Sequence, residues 1–179
     1  RDFIVIFLRR YFTARFVISR EGGNSAPFNA FRIPSGMTSV LCGTAKGTIL
    51  KTPEGMAIRP TTDRVKESVF AILGERIVHA KVLDLFSGTG NLGIEALSRG
   101  ARQVVFVDQS AVSLRLIKEN LQRSRMTEKE HIILRLSIPG GMERAMSLGG
   151  FDLIFCDPPY NKGLVNTVLE FIDKNISIS

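Results

Sequence analysis

An acid, two prolines and an aromatic ring close the apolar run F-D-L-I-F-C-D-P-P-Y at residues 151–160. The apolar residues read as a buried strand, with Asp157 at its end. Pro158 and Pro159 offer no N–H to a ladder, so pairing stops there. Tyr160 then leaves a stiff turn. A carboxylate and a backbone carbonyl can accept the N–H bonds of an exocyclic amine, while a ring stacks on the base that carries it. The plainer reading is a strand that ends in a proline turn, with Asp157 as a turn acid.

Upstream, residues 82–97 read V-L-D-L-F-S-G-T-G-N-L-G-I-E-A-L. An apolar strand carries Asp84; Gly88, Gly90 and Gly93 follow, then the apolar helical pattern of Leu92, Ile94, Ala96 and Leu97. G-x-G-x-x-G is a weak signal shared with dinucleotide folds, and a tight strand-to-helix turn would need the glycines too. Asp84 discriminates. A pyrophosphate at the helix start would meet an acid just before the loop. A ligand with a positive amine or sulfonium, such as S-adenosylmethionine, suits that acid. Its carboxylate can use N–H groups near Gly88–Gly90.

A third strand-like run, Q-V-V-F-V-D-Q-S at residues 103–110, ends in Asp108. Its distance from the glycines is roughly that of the acid that holds a ribose in doubly wound nucleotide folds. The competing reading makes Asp108 a helix cap, although Ser110 is the better cap for a helix starting near Ala111.

These residues need a scaffold. The patterns predict a hairpin over 39–51 and a helix over 63–73. Strands are expected at 81–86, 103–107, 131–136 and 151–156, and helices at 91–99, 111–123, 142–148 and 163–174. Alternation of strand and helix predicts an α/β fold, an open parallel sheet with helices on both faces. Ligands of such sheets lie at the carboxyl ends of the strands, where Gly88, Asp108 and Asp157 all fall. Thr62 or Asp63 can cap the 63–73 helix, whose apolar face reads as Val65, Val69 and Ile72. Arg59, Arg64 and Lys66 cluster at its start, where cations oppose the helix dipole, so an anion such as RNA phosphate is their expected partner. The bland reading there is a solvated basic face.

D-x-F-x-G-x-G, then V-D, then D-P-P-Y, resembles the class I methyltransferases. Residues 43–73 narrow the resemblance: Arg59, Pro60, Thr61, Asp63, Arg64, Val65, Lys66 and Glu67 follow R-P-T-x-D-R-V-[RK]-E in register. This is similar to the N-terminal signature of the RsmD family, bacterial methyltransferases of small-subunit ribosomal RNA, and the likeness runs from about residue 39 to 173. It implies a Rossmann-like class I methyltransferase sheet with a short N-terminal hairpin. It also implies methyl transfer from S-adenosylmethionine to the 2-amino group of a guanine in 16S rRNA. Asp157, Pro158, Pro159 and Tyr160 would be catalytic. Asp84, Phe86, Gly88, Gly90, Asp108 and Ser137 would bind the cofactor, and Arg59, Arg64, Lys66 and Lys162 the RNA. The chain departs from the family after the third strand, where an acid often lies near the adenine. Leu136–Ser137–Ile138–Pro139 stands here instead. The alternatives are an inactive RNA- or cofactor-binding remnant, or an amino-methylase acting on DNA or protein. A dehydrogenase is disfavoured by Asp84.

Composition sets the remaining bounds. The 179 residues suffice for one domain with a sizeable core. Net charge is +7, and residues 1–36, with six arginines against two acids, hold +4 of it. Mild basicity of the remainder fits an RNA substrate. Two cysteines, Cys42 and Cys156, argue against a disulfide scaffold, and Cys156 reads as a packing residue. His79 and His131 lack ligand-spaced neighbours, and amine methylation needs no metal. Residues 1–36 are expected to be a disordered extension, with Met37 a natural start. Residues 37–80 form the hairpin and helix that meet RNA, and 81–179 an incomplete methyltransferase domain, truncated at its C-terminus. Ile176–Ser179 is expected to open a fifth core strand, leaving the fourth near an edge with Phe155 exposed. A monomer is expected, acting on small-subunit rRNA or an assembling 30S subunit. It would have no membrane association and reside in a bacterial cytoplasm, or in an organelle if 1–36 is a transit peptide.

Overall fold

The computed structural model describes residues 4–8, 14–18, 38–53, 63–158 and 162–176. The strands are β1 (Ile4–Leu8), β2 (Ala14–Ile18), β3 (Thr38–Ser39), β4 (Ile49–Leu50), β5 (Lys81–Leu85), β6 (Gln103–Asp108), β7 (Glu130–Arg135) and β8 (Leu153–Cys156). The helices are α1 (Asp63–Leu73), α2 (Asn91–Ser98), α3 (Ala111–Arg123), α4 (Met142–Met146) and α5 (Lys162–Ile176), with a 3-10 turn at Gly74–Ile77.

β5, β6 and β8 are nearly unbroken apolar runs, the composition of strands covered on both faces. They form the middle of a six-stranded sheet in the order β2-β1-β8-β5-β6-β7. All neighbours run parallel except β1 and β2. Successive strand residues serve opposite layers, as a pleat requires. Val82, Val104, Phe106, Leu153 and Phe155 pack with α1, α2, α3 and the β3–β4 hairpin, through residues such as Phe70, Leu97 and Ile117. Leu83, Val105, Val107, Ile154 and Cys156 pack with Met142 and Ala145 of α4 and Val168 and Ile172 of α5. The expected doubly wound α/β sheet is therefore present. At the α2–β6 contact, a Cβ on Gly93 would stand 2.2 Å from the Phe106 ring, so only glycine lets this helix lie so close to the sheet.

Three expectations are corrected. Residues 1–36 are not wholly outside the fold, because β1 and β2 extend the sheet. The fourth core strand, β8, is consequently not an edge: β1 pairs along it, Ile6 beside Phe155, and Phe155 is fully buried. The strand expected to open at Ile176 is instead the last residue of α5, and 177–179 lie outside the described residues.

The apolar face of α1 is also rotated from its expected position. Val69, Phe70 and Leu73 are buried, whereas Ile72 is 46% exposed. Val65 and Val69 do meet the core as expected, but Phe70 and Leu73 take the place of Ile72 and carry Lys66 into the interior with them. The β3–β4 hairpin shares this core through Val40, Ala45 and Leu50. No helix among the described residues is long and apolar enough to cross a membrane.

Candidate functional site at the strand tips

In the sheet register, Leu85 of β5 lies beside Val107 of β6 and Cys156 of β8. The chain therefore leaves three adjoining strands at one level, with Phe86, Asp108 and Asp157 as the next residues outward. After β5 it turns sharply at Phe86, which has φ +61°. Ser87 fastens the turn to the tip of β6. Its N–H donates to the Val107 carbonyl at 3.0 Å, its hydroxyl donates to the Asp84 carbonyl at 2.6 Å, and the Val107 N–H donates back to Oγ at 2.9 Å. Gly88 and Gly90 follow with φ +55° and +78°, and α2 begins directly after Gly90.

Each acid of the site has a definite mooring. Asp84 is 2% exposed, and its Oδ2 accepts the Gly93 N–H at 3.1 Å. Its carboxyl is pushed up to about 8, chiefly by burial; the Gly93 hydrogen bond works against that rise, and the negative charges of Asp157 and Asp108 add to it. Asp108 is half-buried. Its Oδ2 accepts the Gly88 N–H at 2.9 Å and its Oδ1 accepts the Ser110 N–H at 2.8 Å. Ser110 in turn caps α3, accepting from the Ser113 N–H. Ser110 and not Asp108 is therefore the cap of α3, and Asp108 fastens the glycine turn and Ser110 to the tip of β6.

Asp157 and Pro158 are half-buried beyond the end of β8. The charges of Asp157 and Asp84 also act on the Cys156 thiol, pushed up chiefly by its burial. Cys156 is therefore a protonated packing residue, as the sequence suggested. Ser137 lies exposed two residues past β7, with its hydroxyl donating to Gln109 Oε1 at 3.3 Å. Since Gln109 adjoins Asp108, Ser137 belongs to the same edge. Asp84, Phe86, Gly88, Gly90, Asp108, Ser137, Asp157 and Pro158 are thus brought together. Arg59, Pro159 and Tyr160 lie outside the described residues. Arg64 and Lys162 are placed by backbone alone, in the first turns of α1 and α5.

Lys66 is the correction among the site residues. It was expected to face RNA phosphate, but its side chain is fully buried. Its ammonium bonds the Ser39 carbonyl and, at 2.7 Å, Asn91 Oδ1; it also pairs with Asp63 and Glu95, both at 3.5 Å. Desolvation lowers its pKa, while those two acids oppose the drop. The physical reason is position on the helix. Lys66 shares the inward stripe of α1, and the acid that receives it is also buried, on α2.

Sequence reasoning missed Ser87, Asn91, Glu95 and Asn120. Glu95 accepts the Leu41 and Cys42 N–H groups at 2.7 and 3.1 Å and Arg99 Nε at 2.7 Å, seating the hairpin on α2. A signal existed, because Glu95 interrupts a mostly apolar helix and Asn120 falls within the apolar stripe of α3 between Ile117 and Leu121. What each would meet was not visible.

The Asp108 and Asp157 carboxylates beyond the strand ends disfavour a phosphate, whose charge they would meet without compensation. They suit a cationic ligand with hydroxyls, and beside it an amine donor facing Asp157.

Comparison with known proteins identifies the family and the fold. The family described as "Conserved hypothetical protein 95" matches residues 38–179. The "Putative rRNA methyltransferase YlbH" of Bacillus subtilis is 38% identical over 135 residues, 75% of this chain and 73% of that protein. "Ribosomal RNA small subunit methyltransferase D" of Escherichia coli is 35% identical over 143 residues, 79% of this chain and 69% of that protein. Among solved structures, "Putative methyltransferase yhhF from Escherichia coli" superposes with a TM-score of 0.65 at 28% identity, covering 78% of this chain and 74% of that one.

Proposed function

Because this chain belongs to the RsmD family, we propose that it is an S-adenosylmethionine-dependent methyltransferase of small-subunit ribosomal RNA, acting on the 2-amino group of a guanine. The observation that carries the cofactor assignment is the convergence of Asp84, Asp108 and Asp157, with Asp84 buried and its carboxyl raised to about 8. Such a group is poised to gain from a cation beside it. The names of the relatives support the RNA substrate.

S-adenosylmethionine, when bound, supplies a methyl group activated by its sulfonium. Asp108 takes the ribose hydroxyls with the lone pairs left by Gly88 and Ser110. Asp84 faces the positive amino-acid end, and the Ser137 hydroxyl meets the adenine edge. Phe86, Gly88 and Gly90 give the loop its shape. Arg59, Arg64 and Lys162 hold RNA phosphates, and Lys66 is removed from that set by its burial. The target guanine leaves its stack, and Tyr160 stacks on it beyond Pro159. Asp157 and the Pro158 carbonyl accept the N–H bonds of its amine, drawing the nitrogen lone pair out of conjugation. With the donor bound, the N–C bond would form as its S–C bond broke, and Asp157 would take the surplus proton from nitrogen and pass it to solvent. Holding the amine in line would supply much of the rate, since near-attack geometry contributes ~7–11 kcal/mol in favourable cases.

Incubation with labelled S-adenosylmethionine and unmodified small subunits, followed by nucleoside mass spectrometry, tests this. N2-methylguanosine is the expected product. Label on adenine, on cytosine, in DNA or in protein would move the substrate assignment. Cofactor binding without transfer would make the chain a binding remnant. Asp157→Ala should abolish transfer, and an unchanged rate in that variant would remove Asp157 from the mechanism.

A further inference from the structure

Asn120 is a fully buried carboxamide on the inward face of α3, between Leu116, Ile117 and Leu121. A leucine would suit that neighbourhood, and an unpaired amide there would be costly. Its partners belong to two distant segments. Oδ1 accepts the Lys51 N–H at 2.7 Å, and Nδ2 donates to the Lys51 carbonyl at 3.0 Å. Nδ2 also donates to the Thr89 carbonyl at 2.9 Å. Thr89 lies between Gly88 and Gly90, whereas Lys51 is the residue by which the chain leaves the β3–β4 hairpin. One side chain therefore ties the hairpin exit to the glycine loop. The same stretch is held from outside by the Lys51–Glu119 pair at 2.8 Å and by Arg123 Nε donating to the Ile49 carbonyl at 3.2 Å.

We propose that Asn120 is a positioning residue that makes the hairpin exit and the Gly88–Gly90 loop one mechanical unit, so that RNA engaged by the N-terminal segment strengthens S-adenosylmethionine binding at the loop. The inference rests on the functional reading above and adds a coupling that the reading does not require. Coupling needs a physical element shared by the two sites. The Thr89 carbonyl provides it on the cofactor side and the Lys51 peptide on the hairpin side. Because linkage is reciprocal, the cofactor must tighten RNA binding by the same factor.

The test compares the full chain with Asn120→Ala by calorimetric titration of S-adenosylmethionine, with and without small-subunit rRNA, alongside steady-state kinetics. In the parent, rRNA should raise cofactor affinity by roughly fivefold or more. In the variant that factor should fall to about one, and the cofactor KM should rise about tenfold while kcat at saturating cofactor changes by less than about twofold. An undiminished factor in the variant overturns the proposal. So does a loss confined to kcat.

Should Asn120→Ala fail to fold, hydrogen exchange on the parent reads the same link without substitution. Adding rRNA in the absence of cofactor should slow exchange across residues 87–93, and an unchanged rate there overturns the proposal. The two failures are separable. Methylation of rRNA by a parent with no affinity coupling sinks the inference alone, whereas absence of cofactor binding and label transfer sinks the functional reading and the inference with it.

Discussion

Lys66 Nζ lies 3.5 Å from Glu95 Oε2, and both side chains are fully withdrawn from solvent. This pair joins α1 to α2, and α2 grows directly out of the glycine loop. Glu95 further receives Arg99, whose guanidinium sits 4.6 Å from the centre of the Phe70 ring. Lys66 and Arg99, the acids Glu95 and Asp63, and the hairpin amides thus form one polar knot beneath the site.

Replacing Lys66 with Met should leave Glu95 short of one cation. Breaking one partner of a buried pair costs about 3–5 kcal/mol, and the retained Arg99 and amide contacts put this case near the lower bound. Urea denaturation measures it. RNA affinity of the folded variant should match the parent, since the ammonium does not reach the surface; a selective loss of RNA binding at parental stability would restore Lys66 to the RNA-contacting set.

Asp84→Asn should alter the pH dependence of stability. The carboxyl rises from 3.8 to about 8 on folding, so between those values the folded state keeps a proton that the unfolded state releases. Stability of the ligand-free parent therefore falls as pH rises through that window, and the full penalty stands above about 8. An amide cannot ionise, yet its oxygen can still accept the Gly93 N–H. The variant should show a flatter profile, with its advantage largest near pH 8.5 and smallest near pH 4.5, while S-adenosylmethionine binding is weakened. Parallel profiles for the two proteins would contradict the burial argument.

Gly93→Ala tests the α2–β6 contact. The new methyl would fall 2.2 Å from Phe106 Cε1 and 2.9 Å from Val104 Cγ1, inside a packed layer. Overpacking of this kind costs about 1–3 kcal/mol. A lower unfolding midpoint is expected, and parental stability would mean that the helix can lift off the sheet without consequence.

Asp108→Ala removes the acceptor for the Gly88 and Ser110 N–H groups together with the proposed ribose ligand. Hydrogen bonds to a charged group contribute about 1.5–3 kcal/mol, so cofactor affinity should fall by more than tenfold. Calorimetry would show it, and near-parental affinity would return Asp108 to a purely structural role.

Much of this was legible in the chain. Strands buried on both faces carry nearly continuous apolar runs, so β5, β6 and β8 announced themselves, and Asp108 and Asp157 stand at the ends of β6 and β8 as their positions in the sequence suggested. The helix limits at Asp63–Leu73 and Ala111–Arg123 were also readable from caps and periodicity. Lys66 was misread because charge at a helix start suggests solvent or an anion, and only tertiary packing reveals that an acid 29 positions later lies opposite it. What Asn120 meets was invisible for the same reason, as its three partners are backbone groups remote in sequence. β1 and β2 were missed because arginines surround short apolar stretches, and nothing local indicates which strand will accept them.

The pairing of Ile4–Leu8 with Leu153–Cys156 bears on how the protein is made. β1 is made well before its parallel neighbour β8, with β5, β6 and β7 between them in the chain. Until β8 follows, its row of backbone donors and acceptors must stay solvated or find substitutes. Closing so long a loop also slows acquisition of the native topology. Nascent chains should thus assemble the β5–β6–β7 portion before β1 joins β8.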